Sequence, residues 1–139
     1  MRAIVTTMML GLVFAIAGVA FADIQTPDWN AVSELSTIEV LTEDADGSLR
    51  VTTVWILVQD GDAYVRTGDS RWGENVARSG QIILRVDETD YPLGVEFEED
   101  DARRATIKQG FRDKYGWFDG MISWVRGDRP KHMRLVARQ

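Results

Sequence analysis

The sequence predicts a small antiparallel β-barrel with appended helices. Three observations lead there. Residues 49–59 are dense in β-branched and aromatic side chains: Val51, Thr52, Thr53, Val54, Trp55, Ile56 and Val58. Such a run favours a strand. Turn signals flank it, Asp44-Ala45-Asp46-Gly47 before and Asp60-Gly61 after. Gly47 supplies a positive φ at no steric cost, and Asp-Gly is among the strongest short hairpin signals. Helical periodicity is confined to short stretches between further strand-like runs.

Taken in order, residues 28–35 carry Trp29, Val32 and Leu35 at i, i+3 and i+6 behind Asp28, a good N-cap, and read as a short helix. Residues 37–42 alternate Ile38 and Val40 with Glu39 and Leu41, a strand pattern. Residues 49–59 read as one long strand, central in the sheet by its hydrophobicity. Residues 63–67 are its hairpin partner, so that two adjacent hairpins form an antiparallel meander. A polar loop, Gly68-Asp69-Ser70, then leads into a helix over 71–78 with Trp72 and Val76 on one side. Residues 81–86 form a strand, 87–90 a turn and 91–97 a further strand, with Pro92 near its start where a missing N–H is tolerated. Residues 100–115 read as a longer helix with Ala102, Ala105, Ile107 and Phe111 inward and Arg103, Arg104, Lys108 and Arg112 in water. The acidic run 98–101 suits its N-terminus, Gly110 weakens its interior and Gly116 stops it. Residues 118–125 are apolar, a helical turn or a loop, and 127–130 break the chain. Residues 132–137 make a last strand, with Met133, Leu135 and Ala137 alternating with His132, Arg134 and Val136. The sum is about six strands with one short and one longer helix.

Composition narrows the function classes. At 139 residues the chain holds one domain and not comfortably two. Its net charge of −6 argues against a nucleic-acid partner, which would need a basic face. It has no cysteine, which excludes disulfides, thiolate metal sites and cysteine nucleophiles. A single histidine, His132, excludes a histidine-rich metal site.

Residues 1–22 have the makeup of a secretory signal peptide: Arg2, an uncharged run over 3–22, and the ending Ala20-Phe21-Ala22. Cleavage would leave 23–139 as a single domain of 117 residues with net charge −7, secreted or periplasmic and free of the membrane. The rival reading is an uncleaved anchor, since about 20 apolar residues just span a bilayer. No Arg-Arg pair signals export in folded form.

Several constellations read as structure. Asp44-Ala45-Asp46-Gly47 resembles a fragment of a calcium loop, but no glutamate follows at the required place, so it is a turn. Glu96, Glu98, Glu99, Asp100 and Asp101 fit a helix start better than a cation site. His132 has no partner in the sequence and reads as a surface or packed histidine. Trp117, Phe118 and Trp124 read as core or a dimer face.

Residues 41–86, LTEDADGSLRVTTVWILVQDGDAYVRTGDSRWGENVARSGQIILRV, resemble the flavin-binding split-barrel group of pyridoxamine-phosphate-oxidase-like and deazaflavin-dependent nitroreductase-like proteins. The matching steps are Gly47, Val54-Trp55, Asp60-Gly61, Tyr64-Val65-Arg66-Thr67, Ser70-Arg71, Asn75 and the strand over 82–86. Thr52-Thr53 replace an Arg-Pro common in that group, and Trp72 replaces a Lys that usually helps hold the cofactor phosphate. The chain thus looks like an uncharacterised domain-of-unknown-function branch of it.

The resemblance implies a split barrel that binds FMN or a deazaflavin, pairs as a homodimer with cofactors at the interface, and acts as an oxidoreductase. It lays Thr52, Val54 and the backbone around Trp55 along the isoalloxazine ring, counts Thr53 among the cofactor-binding residues and puts Asn75 on the helix after the loop. A phosphate needs converging donors, and Thr67, Gly68, Ser70 and Arg71 precede a helix start and offer them. Arg66 adds charge if it faces the site, and Trp72 would stack on a ring or cover its edge. Read on residue types alone, Ser70 is a helix cap, Arg71 a solvated charge and Trp72 an anchor of the helix. Two functions stay open: an exported cofactor-binding redox protein, or a non-catalytic exported module that binds a small ligand or a protein on the same barrel. No side chain stands out as a catalytic acid or base.

Overall fold

The structure, a computed structural model, describes residues 26–116 and 130–138. The leader and the stretch 118–125, with Trp117, Phe118 and Trp124, lie outside the described residues. Within them the order is α1 (Trp29–Ser33), β1 (Thr37–Glu43), β2 (Leu49–Trp55), β3 (Leu57–Gln59), β4 (Asp62–Thr67), α2 (Arg71–Ser79), β5 (Gln81–Val86), β6 (Thr89–Phe97), α3 (Asp101–Tyr115) and β7 (Lys131–Ala137). None of the described helices is long and apolar enough to cross a membrane.

One antiparallel sheet runs β2-β1-β5-β6-β7-β4-β3. Its two outermost strands, β2 and β3, are separated in the chain by Ile56 alone. Neighbouring strands lie about 4.8 Å apart, so strands one residue apart cannot occupy opposite ends of a flat seven-stranded sheet. The sheet therefore curls until β2 comes against β4, forming a split barrel with its seam at Ile56. This corrects the single central strand expected over 49–59. The β-branched run does form strand on both sides of Ile56, but its partner changes there, from β1 to β4. Both pieces lie at sheet edges, and Leu49 and Val51 are exposed. The split raises the strand count from about six to seven, and the two hairpins do not share a central strand.

The turns follow their chemistry. Gly47 takes φ +86°, and its N–H reaches the Asp44 carbonyl at 2.9 Å. Asp60 and Gly61, at φ +52° and +80°, form the two-residue turn that joins β3 to β4. Positive φ at both central positions matches the right-handed twist of the strands. The β5–β6 turn does the same at Asp87 and Glu88 without a glycine, and β6 starts at Thr89, two residues earlier than expected.

Inside the barrel, Val40, Ile56, Ala63, Val65, Val76, Ile82, Leu84, Leu93 and Met133 are sealed from water. Each large aliphatic side chain so buried contributes about 1.5–3 kcal/mol. A second cluster lies outside, where Ile107 and Phe111 of α3 cover Leu57 and Tyr64. β4 is thus buried on both faces. Ala102 and Ala105, expected on the inner face of α3, are exposed. At about 100° per residue they lie across the helix axis from Ile107; the buried set is Ile107, Gly110 and Phe111. Gly110 suits this close approach, because a Cβ there would collide with Gln59 Oε1 and stand 2.7 Å from Cδ2 of the buried Leu57.

Candidate functional site

A cavity of about 410 Å³ opens at the seam between β2 and β4. Thr52, Thr53, Val54 and Trp55 of β2 form one wall, with Thr37, the register partner of Trp55, beside them. Arg66 and Thr67 end β4 on the other wall, followed by Gly68, Asp69, Ser70 and Trp72.

The loop corner is held by α2. Ser70 is its N-cap: the backbone is extended, and the hydroxyl accepts from the Gly73 N–H at 3.1 Å. That satisfies one of the first-turn donors that a helix leaves unpaired. Ser70 and Thr67 also share a short hydroxyl–hydroxyl hydrogen bond, and Thr67 Oγ1 donates to the Gly68 carbonyl at 3.1 Å. Gly73 makes this possible, since a Cβ there would lie 2.8 Å from Thr67 Cγ2 and 3.0 Å from Ser70 Oγ. Trp72 is buried in the core cluster with Val76 and at the same time lines the cavity.

Arg66 is 8 % exposed, with its guanidinium 4.2 Å from the centre of the Phe111 ring and 5.8 Å from that of Trp55. Stacking on aromatic faces stabilises a cation withdrawn from water. Trp55 also stacks on Tyr115, with ring centres 4.2 Å apart and planes within 4°.

Nine of the eleven residues nominated from the sequence therefore line one cavity, with side chain or backbone: Thr52, Thr53, Val54, Trp55, Arg66, Thr67, Gly68, Ser70 and Trp72. The other two do not. Arg71 is exposed and off the cavity wall, as expected of a first-turn residue on the solvent side of a helix cap. Asn75 is buried and braces α2 against the β1–β2 hairpin, its amide donating to Thr42 Oγ1 at 3.0 Å and Asp44 Oδ1 at 2.7 Å. Arg50 grips the same Asp44 carboxylate with two 2.9 Å bonds. The Arg50 hydrogen bond first, and the Asn75 one second, hold the Asp44 pKa down at about 2.

Sequence reasoning missed Thr37, Asp69 and Tyr115. Thr37 was within reach: a hairpin register counted back from the Asp44–Ser48 turn pairs it with Trp55. Asp69 sat inside the nominated loop. Nothing in the sequence placed Tyr115 behind Trp55.

The donor set suits an anionic, flat ligand. Arg66 brings positive charge to the wall, and the first N–H groups of α2 have no carbonyl within the helix to reach. Val54, Trp55 and Trp72 offer apolar and aromatic surface. His132 lies elsewhere, packed near Phe111 with neither ring nitrogen hydrogen-bonded. Burial foremost, then the Arg66 charge, push its pKa down to about 4. Among the described residues no cluster of His, Asp or Glu is placed to hold a metal ion.

Residues 28–133 match the profile of a family described as "Uncharacterized protein conserved in bacteria (DUF2255)". The chain belongs to that family. No curated protein matches this DUF2255 chain. Solved structures do. HutZ, described as the heme storage protein from Vibrio cholerae, superposes with a TM-score of 0.61 at 15 % identity over 76 % of this chain and 84 % of its own. A putative pyridoxamine 5'-phosphate oxidase from Listeria innocua gives 0.59 at 12 % identity over 80 % and 90 %. An F420-H2-dependent reductase, FDR-A, gives 0.55 at 11 % identity over 72 % and 93 %. The fold of this chain is thus the pyridoxamine-oxidase-like split barrel, and the resemblance seen in residues 41–86 holds at the level of fold. At these identities the ligand has to be argued from this chain's own residues.

Proposed function

We propose that this protein holds a phosphate-bearing cofactor of the flavin class, FMN or a deazaflavin, in the seam between β2 and β4. The observation that carries the reading is the convergence of β2, the end of β4 and the start of α2 on one cavity of about 410 Å³. That volume falls within the roughly 300–1,000 Å³ of small-molecule sites. When bound, such a ring supplies hydride transfer, so an oxidoreductase role follows from the same reading. The protein's part is to bind, orient and exclude water. Val54, Trp55 and Trp72 bound the ring, Arg66 meets negative charge, and the first turn of α2 faces the phosphate arm. The signal-like leader extends the proposal to a secreted or periplasmic protein, and the family arrangement extends it to a homodimer.

A second reading has one specific observation behind it. The Thr67 and Ser70 hydroxyls are already bonded to each other and to neighbouring backbone, and Asp69 puts a carboxylate on the wall. Both features weaken a phosphate cradle and favour a non-catalytic module that takes another small ligand.

Flavin fluorescence titration separates the two. Gly68 lines the cavity, has an ordinary φ, and a Cβ added there would meet nothing within 4 Å. A side chain at this position therefore starts from an unobstructed Cβ on the cavity wall, and Gly68→Trp is expected to crowd the seam. The wild-type chain is expected to quench FMN or deazaflavin fluorescence saturably, and Gly68→Trp to weaken binding at least about tenfold. No quenching by the wild type would reject the cofactor reading, and equal affinity in the variant would reject the site.

A further inference from the structure

Ile56 is the hinge on which the barrel closes. β2 ends at Trp55, paired with Thr37, and β3 begins at Leu57, paired with Tyr64. Ile56 belongs to neither ladder and is fully buried. A buried peptide group without a partner is costly, and here the partners come from outside the sheet. The Ile56 N–H donates to Tyr115 Oη at 3.0 Å. The Tyr115 hydroxyl has two carbonyls, those of Ile56 and Ser36, each 2.7 Å away for its one proton. Lys114 Nζ donates to the Ile56 carbonyl at 2.8 Å and to the Leu35 carbonyl at 2.7 Å. The last turn of α3 thus ties the entry to β1 and the β2–β3 break into one knot. The Tyr115 ring stacks on Trp55, which walls the cavity.

We infer that Tyr115 and Lys114 are positioning residues that set the place of Trp55, and with it the width of the seam, so that docking of α3 and occupancy of the cavity are coupled. The coupling rests on the seam being a ligand site; the positioning does not. Two features set this knot apart from ordinary helix packing. Three of its five hydrogen-bond contacts fall on Ile56, the residue that follows Trp55 of the cavity wall, and the stacked ring fixes the indole plane. Gly110 lets α3 lie close enough to β3 for the knot to form.

The test uses the full chain with Tyr115→Phe, which keeps the stacking ring and removes the hydroxyl, and Lys114→Met, which keeps the stem and removes the ammonium. Ile82→Val, a core change away from the cavity, serves as a control for general destabilisation. In NMR, Tyr115→Phe is expected to speed amide exchange at Ile56 at least tenfold and to shift the Trp55 indole and the amides of Thr52, Thr53 and Val54. FMN affinity should fall about tenfold in Tyr115→Phe, less in Lys114→Met, and not at all in Ile82→Val. Unmoved Trp55 and Thr52–Val54 signals in both variants would overturn the positioning role. Moved signals with unchanged FMN affinity would overturn the coupling. A wild type that takes no flavin would sink the cofactor reading and the coupling with it, while exchange and shifts still decide the positioning role.

Discussion

An imidazole sealed from water has to be neutral unless a carboxylate meets it, and His132 has cations around it instead. Arg66 on β4 and Arg104 and Lys108 on α3 all oppose its protonation, and Glu98 favours it less strongly. At 3 % exposure neither ring nitrogen finds a hydrogen bond. The consequence is a pH dependence whose sign is fixed. Above the ordinary value of 6.5 the ring is neutral in both folded and unfolded chains and contributes no slope. Between 6.5 and about 4 the unfolded chain takes up a proton that the folded one refuses, so stability falls as pH falls. Below about 4 the loss is complete, and at about 1.4 kcal/mol per unit it totals roughly 3 kcal/mol. Urea unfolding at pH 7 and pH 4 measures it. Wild type should lose roughly 3 kcal/mol more than His132→Leu over that interval, since the carboxylates common to both cancel. Parallel losses would mean that His132 is charged or solvated in the folded state.

The behaviour of elements is governed by where backbones come close. Gly110 in the interior of α3 looks like a weak point on helix propensity alone, where alanine is favoured by about 1 kcal/mol. Packing reverses that preference, since the alanine methyl would collide with Gln59 and Leu57 on β3. Gly110→Ala is expected to lower stability by about 1–3 kcal/mol, the usual cost of overpacking, as read from the denaturant midpoint; a gain would show that α3 can lift off β3 freely. The same distinction explains how far the sequence could be read. Hairpins were legible because Gly47 and Asp60-Gly61 carry their φ requirement in their identity. Strand content over 49–59 was legible too. The partner switch at Ile56 was not, because β propensity states that a residue is extended and says nothing of which strand it pairs with. Most of the cavity wall could be nominated because β2 and the Gly68–Ser70 loop are contiguous segments. Arg71 and Asn75 were nominated with it because loop spacing does not reveal side-chain direction; one faces water and the other Thr42 and Asp44.

At the scale of the whole molecule, the barrel is closed by contact of β2 with β4 rather than by a continuous ladder, and a ligand in the seam would touch both walls at once. Such a ligand binds the closed sheet and has no counterpart site in the unfolded chain, where residues 52–55 and 66–72 are not held together. Its effect on stability is then RT ln(1 + [L]/Kd), about 2.7 kcal/mol at one hundred times Kd. For a domain of this size 1 kcal/mol moves the melting temperature by about 3–6 °C, so saturating FMN should raise it by roughly 10 °C. Differential scanning fluorimetry with an extrinsic dye, or calorimetry, reads the shift without depending on turnover. The increment should scale with the logarithm of ligand concentration in the wild type and be cut by about half or more in Gly68→Trp at the same FMN concentration, as a loss of at least about tenfold in affinity requires, while the variant's own melting temperature should match that of the unliganded wild type. An FMN-induced rise of equal size in Gly68→Trp would place the ligand somewhere other than the seam, because that variant leaves every other surface of the barrel as it was.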